Sequence, residues 1–72
     1  MEWTPEKIKT AIKSLGLNQT HAALMLGISR EQMFRLTSRG NDGEPRRTPS
    51  LTVQFLLTAF LSGYRPDDWI GK

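Results

Sequence analysis

The 72-residue sequence predicts an all-α fold, a compact bundle of four to five short helices in one domain spanning residues 1–72. Apolar residues recur at spacings of three and four, and Gly, Pro and Asx residues separate these stretches into short helices. A chain of this length buries only about 60% of its unfolded surface, so its core is marginal. Because the chain has no cysteine, association with a second copy is the stabiliser that remains.

The first predicted helix lies near the start of the chain and supports the rest of the bundle. Thr4 is a suitable N-cap, and Pro5 follows at the first helical position, where its missing N–H is not needed. A stripe of apolar residues at helical spacing then precedes Gly16: Ile8, Ala11, Ile12 and Leu15. The lysines of this helix are expected to face solvent: Lys7, Lys9 and Lys13.

Residues 19–39, which read QTHAALMLGISREQMFRLTSR, predict two short helices joined at one glycine. The first helix is predicted over Gln19–Leu26, with Asn18 or Gln19 well placed to cap it. Gly27 follows where the chain must leave the helix in a left-handed conformation, which costs other residues about 1–2 kcal/mol.

The residues around this glycine predict how the two helices meet. Ala23 lies where helices that cross nearly at right angles would touch, and a larger side chain there would push them apart. Ile28 can fill the corner between them. Ser29 and Gln32 form a capping box, which starts the second helix at a defined residue.

The second helix of this pair is predicted to have two different faces. Met33 and Leu36 face the core. The preceding segment is expected to contribute three apolar residues to the same contact: Leu24, Leu26 and Ile28. The remaining residues are predicted to face solvent: Arg30, Glu31, Phe34, Arg35 and Ser38.

This combination of spacings is typical of a helix-turn-helix, whose second helix enters the major groove of DNA. Each feature is ordinary by itself, since glycines often end helices and surface arginines are usually solvated. A small residue, a glycine four positions later, a cap two positions after that and then two buried apolar residues rarely occur together by chance. The sequence therefore predicts a protein that binds double-stranded DNA.

The basic residues are concentrated in the predicted DNA-binding region. The net charge is +3 and the pI is about 9.8, which suits a nucleic-acid-binding domain. Half of the 10 basic residues are arginines within residues 30–47: Arg30, Arg35, Arg39, Arg46 and Arg47. Arginine can grip a guanine edge or a phosphate at two points. Residues 40–49 (GNDGEPRRTP) predict a surface loop that can bring Arg46 and Arg47 to phosphates.

A fourth helix is predicted over residues 50–62, with Thr48 as its cap, Pro49 at its opening and Gly63 at its end. No charged residue lies between Leu51 and Ser62. One apolar stripe contains Val53, Leu56, Leu57 and Phe60, and roughly opposite lie Leu51, Phe55 and Ala59. A last short turn is predicted at residues 67–70.

Two apolar faces on one helix need two partners. One face can cover the core, and the other is left for a second copy of the chain or for Trp69 and Ile70 folding back. A central helix covered wholly within one monomer is the third possibility. We favour a homodimer through Leu51, Phe55 and Ala59, because a chain this short has little else to cover them.

Neither a catalytic site nor a metal site is recognisable, so we expect no enzyme activity, no cofactor and no small-molecule ligand. His21 is the only histidine and cannot hold a metal alone, and no nucleophile with a base or pair of carboxylates stands out. No stretch reaches the ~18–20 apolar residues of a membrane span, and no signal peptide is recognisable. A soluble cytoplasmic protein without a membrane partner is expected.

The segment QTHAALMLGISREQMFRL resembles the helix-turn-helix of phage repressors and Cro-like regulators, and that resemblance covers about residues 5–40. The segment PSLTVQFLL with its nearby basic loop resembles the small anti-CRISPR-associated regulators of phages. Those regulators are similar in size, are dimeric and repress the operon that encodes them. The resemblance implies a phage- or mobile-element-encoded repressor in a bacterial cell that binds a pseudo-palindromic operator as a homodimer.

The resemblance also implies roles for single residues. Phosphate contacts come from the start of the first hinge helix: Gln19, Thr20 and His21. Base contacts come from the start of the recognition helix: Ser29, Arg30, Glu31, Phe34 and Arg35. Charge and position add three phosphate contacts: Arg39, Arg46 and Arg47. Phe34 departs from the polar residue usual at its position, and it can touch a thymine methyl or turn into the core.

Three other functions fit parts of the pattern. An activator, or the antitoxin of a toxin–antitoxin pair, would use the same DNA-reading parts. A helical protein-interaction module belongs to a different class, in which the uncharged fourth helix docks a partner and the arginines only solubilise the chain. Salt-sensitive DNA binding separates these classes, because phosphate contacts release counterions.

Overall fold

The computed structural model describes residues 2–71, and their regular structure consists of four helices: α1 (Pro5–Ser14), α2 (Gln19–Leu26), α3 (Arg30–Leu36) and α4 (Leu51–Leu61). Within this range the only β-type pairing is an isolated bridge between Arg39 and Pro45. The predicted all-α bundle is confirmed, with four helices and no fifth among the described residues. The predicted last turn is shorter than expected: it comprises residues 67–68 and is closed by the hydrogen bond from the Trp69 N–H to the Pro66 carbonyl oxygen at 3.0 Å.

Each helix begins at a residue whose side-chain oxygen accepts a backbone N–H three positions later, which pairs one of the unpaired donors of the first turn. These capping residues are Thr4, Asn18, Ser29 and Ser50. The predicted capping box is complete, because Ser29 Oγ accepts the Gln32 N–H at 3.1 Å and Gln32 Oε1 accepts the Ser29 N–H at 3.2 Å. The registers of α2 and α3 are thereby fixed.

The predicted N-cap of the fourth helix is wrong by two residues. Ser50, not Thr48, is the N-cap, and its Oγ accepts the Val53 N–H at 3.3 Å. Pro49 precedes the cap and is buried, and its carbonyl oxygen accepts a hydrogen bond from Gln54 Nε2 at 3.0 Å. A hydroxyl directly before the first helical residue makes an earlier cap unnecessary.

One core of buried apolar side chains joins the four helices. The predicted α1 stripe is buried throughout: Ile8, Ala11, Ile12 and Leu15. Met33 and Leu36 from α3 and three residues from α4 complete the centre: Val53, Leu57 and Phe60. Trp3, which the sequence patterns did not mark, also joins this core, and Trp69 packs against Phe60 with ring centroids 5.0 Å apart.

The expected inward position of Leu24 is wrong, because its side chain is 65% exposed. Residues two positions apart on an α-helix point about 200° apart, so Leu24 cannot share a face with Leu26. The buried side of α2 is formed instead by Ala22, Ala23 and Leu26. Ile28, just after the helix, is half-buried against the same core as predicted.

The turn between α2 and α3 has the predicted geometry. Gly27 adopts φ 70° and ψ 31°, the left-handed conformation, and its N–H donates to carbonyl oxygens of the last turn of α2. Ala23 is only 2% exposed and lies in the core, as a small residue near a helix crossing is expected to. Residues of the first turns of α2 and α3 line one groove.

Candidate nucleic-acid interface

The outer face of α3 is exposed because the buried residues of this helix lie on its opposite face, in the core. Met33 and Leu36 are buried on the inner side. Four of the predicted base-reading residues are exposed on the outer side: Arg30, Glu31, Phe34 and Arg35. Ser38 is half-buried, and its hydroxyl donates to the Phe34 carbonyl oxygen at 2.7 Å.

An open groove of about 390 Å³ joins the predicted phosphate-contacting and base-reading residues. Gln19 and Thr20 of α2 line one part of this groove, and α3 contributes Arg30, Glu31 and Phe34. The groove therefore holds a cation, a carboxylate, an aromatic ring and neutral hydrogen-bonding groups within one surface. These are the kinds of group that contact phosphates, base edges and thymine methyls.

Phe34 lies in the wall of this groove and is 58% exposed. The alternative in which this ring turns into the core is therefore wrong. Its backbone carbonyl oxygen is held by the hydroxyls of Thr37 and Ser38, which fixes the last turn of α3 beneath the ring. An exposed ring on a fixed helix face is available for an apolar contact.

Arg35 and Glu31 form an ion pair between successive turns of α3. Both side chains are at least half exposed, and exposed pairs of this spacing contribute only about 0.3–0.5 kcal/mol. Such a contact is easily exchanged for one with a base. Arg30 has no hydrogen-bond or ion-pair partner within residues 2–71.

Gln19 and Thr37 connect the start of α2 to the end of α3. Gln19 Nε2 donates to Thr37 Oγ1 at 3.0 Å, and the Thr37 hydroxyl in turn donates within α3 to the Met33 and Phe34 carbonyl oxygens. Thr37 is only 3% exposed. Sequence reasoning missed this residue, because neither a charge nor a spacing rule marks a buried threonine that follows a helix.

The remaining candidates at the start of each helix have mixed surroundings. Thr20 is exposed at the groove. His21 is half-buried, and its backbone N–H donates to Asn18 Oδ1 at 2.7 Å. Ser29 is exposed, and its hydroxyl oxygen accepts the capping hydrogen bond. The hydrogen of that hydroxyl can still be donated to a base or phosphate.

Arg39 makes three side-chain hydrogen bonds, all to protein oxygens. Its Nε donates to Glu6 Oε2 at 3.0 Å, its Nη2 donates to Glu6 Oε1 at 2.6 Å, and its Nη1 donates to the Gly43 carbonyl oxygen at 2.7 Å. The hydrogen bonds from Arg39 lower the pKa of Glu6, and those with Glu6 raise the pKa of Arg39. Sequence reasoning did not find Glu6, since no local rule links residues 33 positions apart.

The loop between α3 and α4 is held by hydrogen bonds and carries two further arginines. Arg46 Nε donates to the Arg39 carbonyl oxygen at 3.2 Å, which leaves its two terminal nitrogens without a partner among the described residues. Arg47 is exposed and has no hydrogen-bond or ion-pair partner in the same range. Both guanidinium groups are thus available for phosphates.

The outer face of α4 is uncharged and exposes two large apolar side chains beside the hydroxyls of Thr52 and Thr58. Leu51 is 65% exposed and Phe55 is 67% exposed, whereas Ala59 is half-buried. Trp69 packs on Phe60, on the core side of the helix, and Ile70 is itself 43% exposed. The fold therefore leaves Leu51 and Phe55 as an unpaired apolar surface.

Within residues 2–71, no three His, Cys, Asp or Glu side chains are grouped so that they could hold a metal ion. None of the helices described above has the length and apolar character needed to cross a membrane. A comparison of the chain with protein-family models, with curated proteins and with solved structures finds no match.

Proposed function

We propose that this chain is a sequence-specific DNA-binding transcriptional repressor whose α2 and α3 act as a helix-turn-helix. The observation that carries the proposal is the groove in which Gln19 and Thr20 meet Arg30, Glu31 and Phe34. A capped α3 with two buried residues behind it presents this face at a defined angle to the rest of the fold. In the bound complex α3 enters the major groove, while α2 contacts the neighbouring phosphates.

The proposed repressor is a homodimer formed through the outer face of α4. The face contains exposed Leu51 and Phe55, and no residue of α4 carries a charge. An isologous interface places each residue near its own counterpart, so an uncharged apolar face suits a second copy of the same chain. Two recognition helices then read an inverted repeat, and the bound dimer excludes RNA polymerase from an overlapping promoter in a bacterial cytoplasm.

Selection of bound sequences from random double-stranded DNA tests this proposal. We expect enrichment of one inverted repeat, and an affinity for it that falls linearly on a logarithmic plot as salt is raised. The matched control is a DNA of the same length and composition with the repeat scrambled. Failure to enrich any sequence, together with salt-independent binding, would overturn the proposal.

A helical protein-interaction module is the second candidate, because Leu51 and Phe55 would also suit an apolar partner protein. In that case the arginines of α3 and the following loop have no ligand. Alanine in place of Arg30 and Arg35 would then leave partner binding unchanged. The salt dependence of DNA binding separates the two functions, since a docking module has no counterions to release.

A further inference from the structure

The contact between Glu6 and Arg39 joins two distant parts of the chain. Glu6 lies in the first turn of α1, and Arg39 follows α3, 33 positions later. Both carboxylate oxygens accept from separate guanidinium nitrogens, at 3.0 and 2.6 Å. This two-point geometry fixes the orientation of the guanidinium plane as well as its distance. We call this ion pair the Glu6–Arg39 clip.

Arg39 also organises the loop that follows it. Its third guanidinium nitrogen donates to the Gly43 carbonyl oxygen at 2.7 Å, and its own carbonyl oxygen accepts from Arg46 Nε at 3.2 Å. Backbone hydrogen bonds complete the frame: Gly40 N–H to Glu44 O at 2.8 Å, Gly43 N–H to Gly40 O at 3.0 Å and Arg46 N–H to Ser38 O at 3.2 Å. Arg39 therefore contacts the loop both near its tip and near its end.

We propose that Arg39 is a positioning residue, which together with Glu6 holds residues 40–47 so that Arg46 and Arg47 reach DNA phosphates. This inference rests on the proposed DNA-binding function. Each guanidinium nitrogen of Arg39 donates to a protein oxygen, and its charge is paired with a carboxylate. Among the described residues, two guanidinium nitrogens of Arg46 and all three of Arg47 have no partner. The two arginines with free nitrogens contact the phosphates, and the one without orients them.

A direct phosphate contact by Arg39 predicts the opposite response to two conservative substitutions. Lysine binds phosphate as a point charge, so Arg39→Lys would then preserve DNA binding. Glu6→Gln would release Arg39 and remove a negative charge, and DNA binding would become tighter. If Arg39 positions the loop, both variants weaken binding. A single lysine nitrogen cannot reproduce the separated contacts that the guanidinium makes with both Glu6 oxygens and with Gly43, and the glutamine of Glu6→Gln offers one acceptor oxygen instead of two.

The loop itself is tested first in the free protein, by amide hydrogen exchange of Gly40, Gly43 and Arg46. Each of these N–H groups donates to a backbone carbonyl within residues 38–46. We expect Glu6→Gln and Arg39→Lys to speed their exchange severalfold, while amides in the middle of α1 and α4 exchange at the wild-type rate. Unchanged exchange in both variants would overturn the proposal, whatever the protein does with DNA.

DNA affinity is then measured for the same variants on the selected site. Both side chains of the clip are partly exposed, and exposed ion pairs contribute little, so we expect a modest weakening of binding, by about threefold to fivefold. Asp67→Asn is the matched control, since it removes one exposed carboxylate from the C-terminal turn and should not weaken binding. Helical circular dichroism shows that each variant is folded.

A double-mutant comparison identifies the route of the effect. In a protein that already carries Arg46→Ala and Arg47→Ala, we expect Glu6→Gln to have no further effect on affinity. An equal loss in both backgrounds would show that the clip does not act through these arginines and would overturn the positioning role. If the wild-type protein binds no DNA, the proposed function fails and the DNA role of the clip fails with it, and hydrogen exchange alone decides whether the clip orders the loop.

Discussion

Two exposed phenylalanines distinguish the two outer surfaces of this protein. Phe34 on α3 is 58% exposed and Phe55 on α4 is 67% exposed, so exposure alone makes them equivalent. Their neighbours differ completely. Phe34 lines a groove with Arg30 and Glu31, whereas no residue of α4 is charged.

The difference between these surroundings decides which partner each ring suits. A surface with exposed arginines remains hydrated and attracts a polyanion, and an aromatic ring within it adds an apolar contact to a base. A surface without charge is easily stripped of water, and burying it against its own copy removes apolar area from solvent. These differences support the proposal that Phe34 contacts DNA and that Phe55 contacts a second protomer.

The largest effect is expected when Phe55 and Phe34 are each replaced by glutamate. Phe55→Glu places a charge in the proposed interface, and we expect monomers with a normal helical spectrum. Loss of the second recognition helix should weaken operator binding by on the order of a hundredfold. Phe34→Glu is the matched control, because it should weaken DNA binding and leave the dimer intact.

Light scattering provides the measurement for these two variants. A wild-type protein that is monomeric at concentrations that saturate DNA, or a Phe55→Glu protein that stays dimeric, would remove α4 from the interface. The proposed dimer also predicts the operator, since two recognition helices that enter successive major grooves must be about 34 Å apart and would read half-sites centred ~10 base pairs from each other. A selected site without an inverted repeat would contradict this arrangement.

Replacement of the α3 arginines tests the other surface. Arg30→Ala and Arg35→Ala should each weaken specific binding by about 1–3 kcal/mol and relax the preference at one base pair per half-site, because each removes a two-point contact to a base edge. Lys13→Ala is the control, as Lys13 is an exposed cation on α1. Competition with variant operators measures the preference, and wild-type discrimination in both arginine variants would show that α3 does not read the bases.

The sequence predicted the fold where local rules decide it. The capping rules predict the N-caps Thr4 and Ser29, and they leave Asn18 as one of two candidates for the N-cap of α2. Backbone sterics predict the left-handed conformation of Gly27. The exposed and buried faces of α3 followed from helical periodicity, as did the exposed Leu51 and Phe55. These features depend on residues at most a few positions apart.

The errors and omissions arise where distant residues compete or meet. Leu24 was placed inside because it is apolar, although Ala22 and Leu26 already define the opposite side of α2. Glu6 and Arg39 meet only in the folded chain, so the sequence did not indicate the ion pair between them. Charge indicated which region is basic, but only the fold shows which arginines have free nitrogens.

Arg47 gives the cleanest test of the loop. Its side chain has no hydrogen-bond or ion-pair partner among the described residues, so its replacement removes no such contact from the fold. Arg47→Ala should weaken binding to all DNA sequences alike and reduce the magnitude of the salt slope by about one. Arg46→Ala should lower the slope similarly, although it also removes the bond to the Arg39 carbonyl oxygen. The measurement is the affinity for operator DNA and for scrambled DNA at several salt concentrations. An unchanged salt slope in both variants would show that the loop does not contact the phosphates.

The smallest expected effect is the pH dependence of stability that Glu6 contributes. Its hydrogen bonds from Arg39 lower the pKa of its carboxyl below the ordinary value of 4.5. A carboxyl whose pKa is lower in the folded protein than in the unfolded chain stabilises the fold above pH 4.5, and this contribution is lost as the pH falls through the folded value. The wild-type protein should therefore melt slightly above Glu6→Gln at pH 7, and the difference between the two melting temperatures should disappear in acid, once the pH is below the folded pKa of Glu6. In an Arg39→Gln background the effect of Glu6→Gln should change much less with pH, because the main cause of the lowered pKa is absent. A melting difference between wild type and Glu6→Gln that stays constant from pH 7 to pH 3 would show that the Glu6–Arg39 clip does not form in solution.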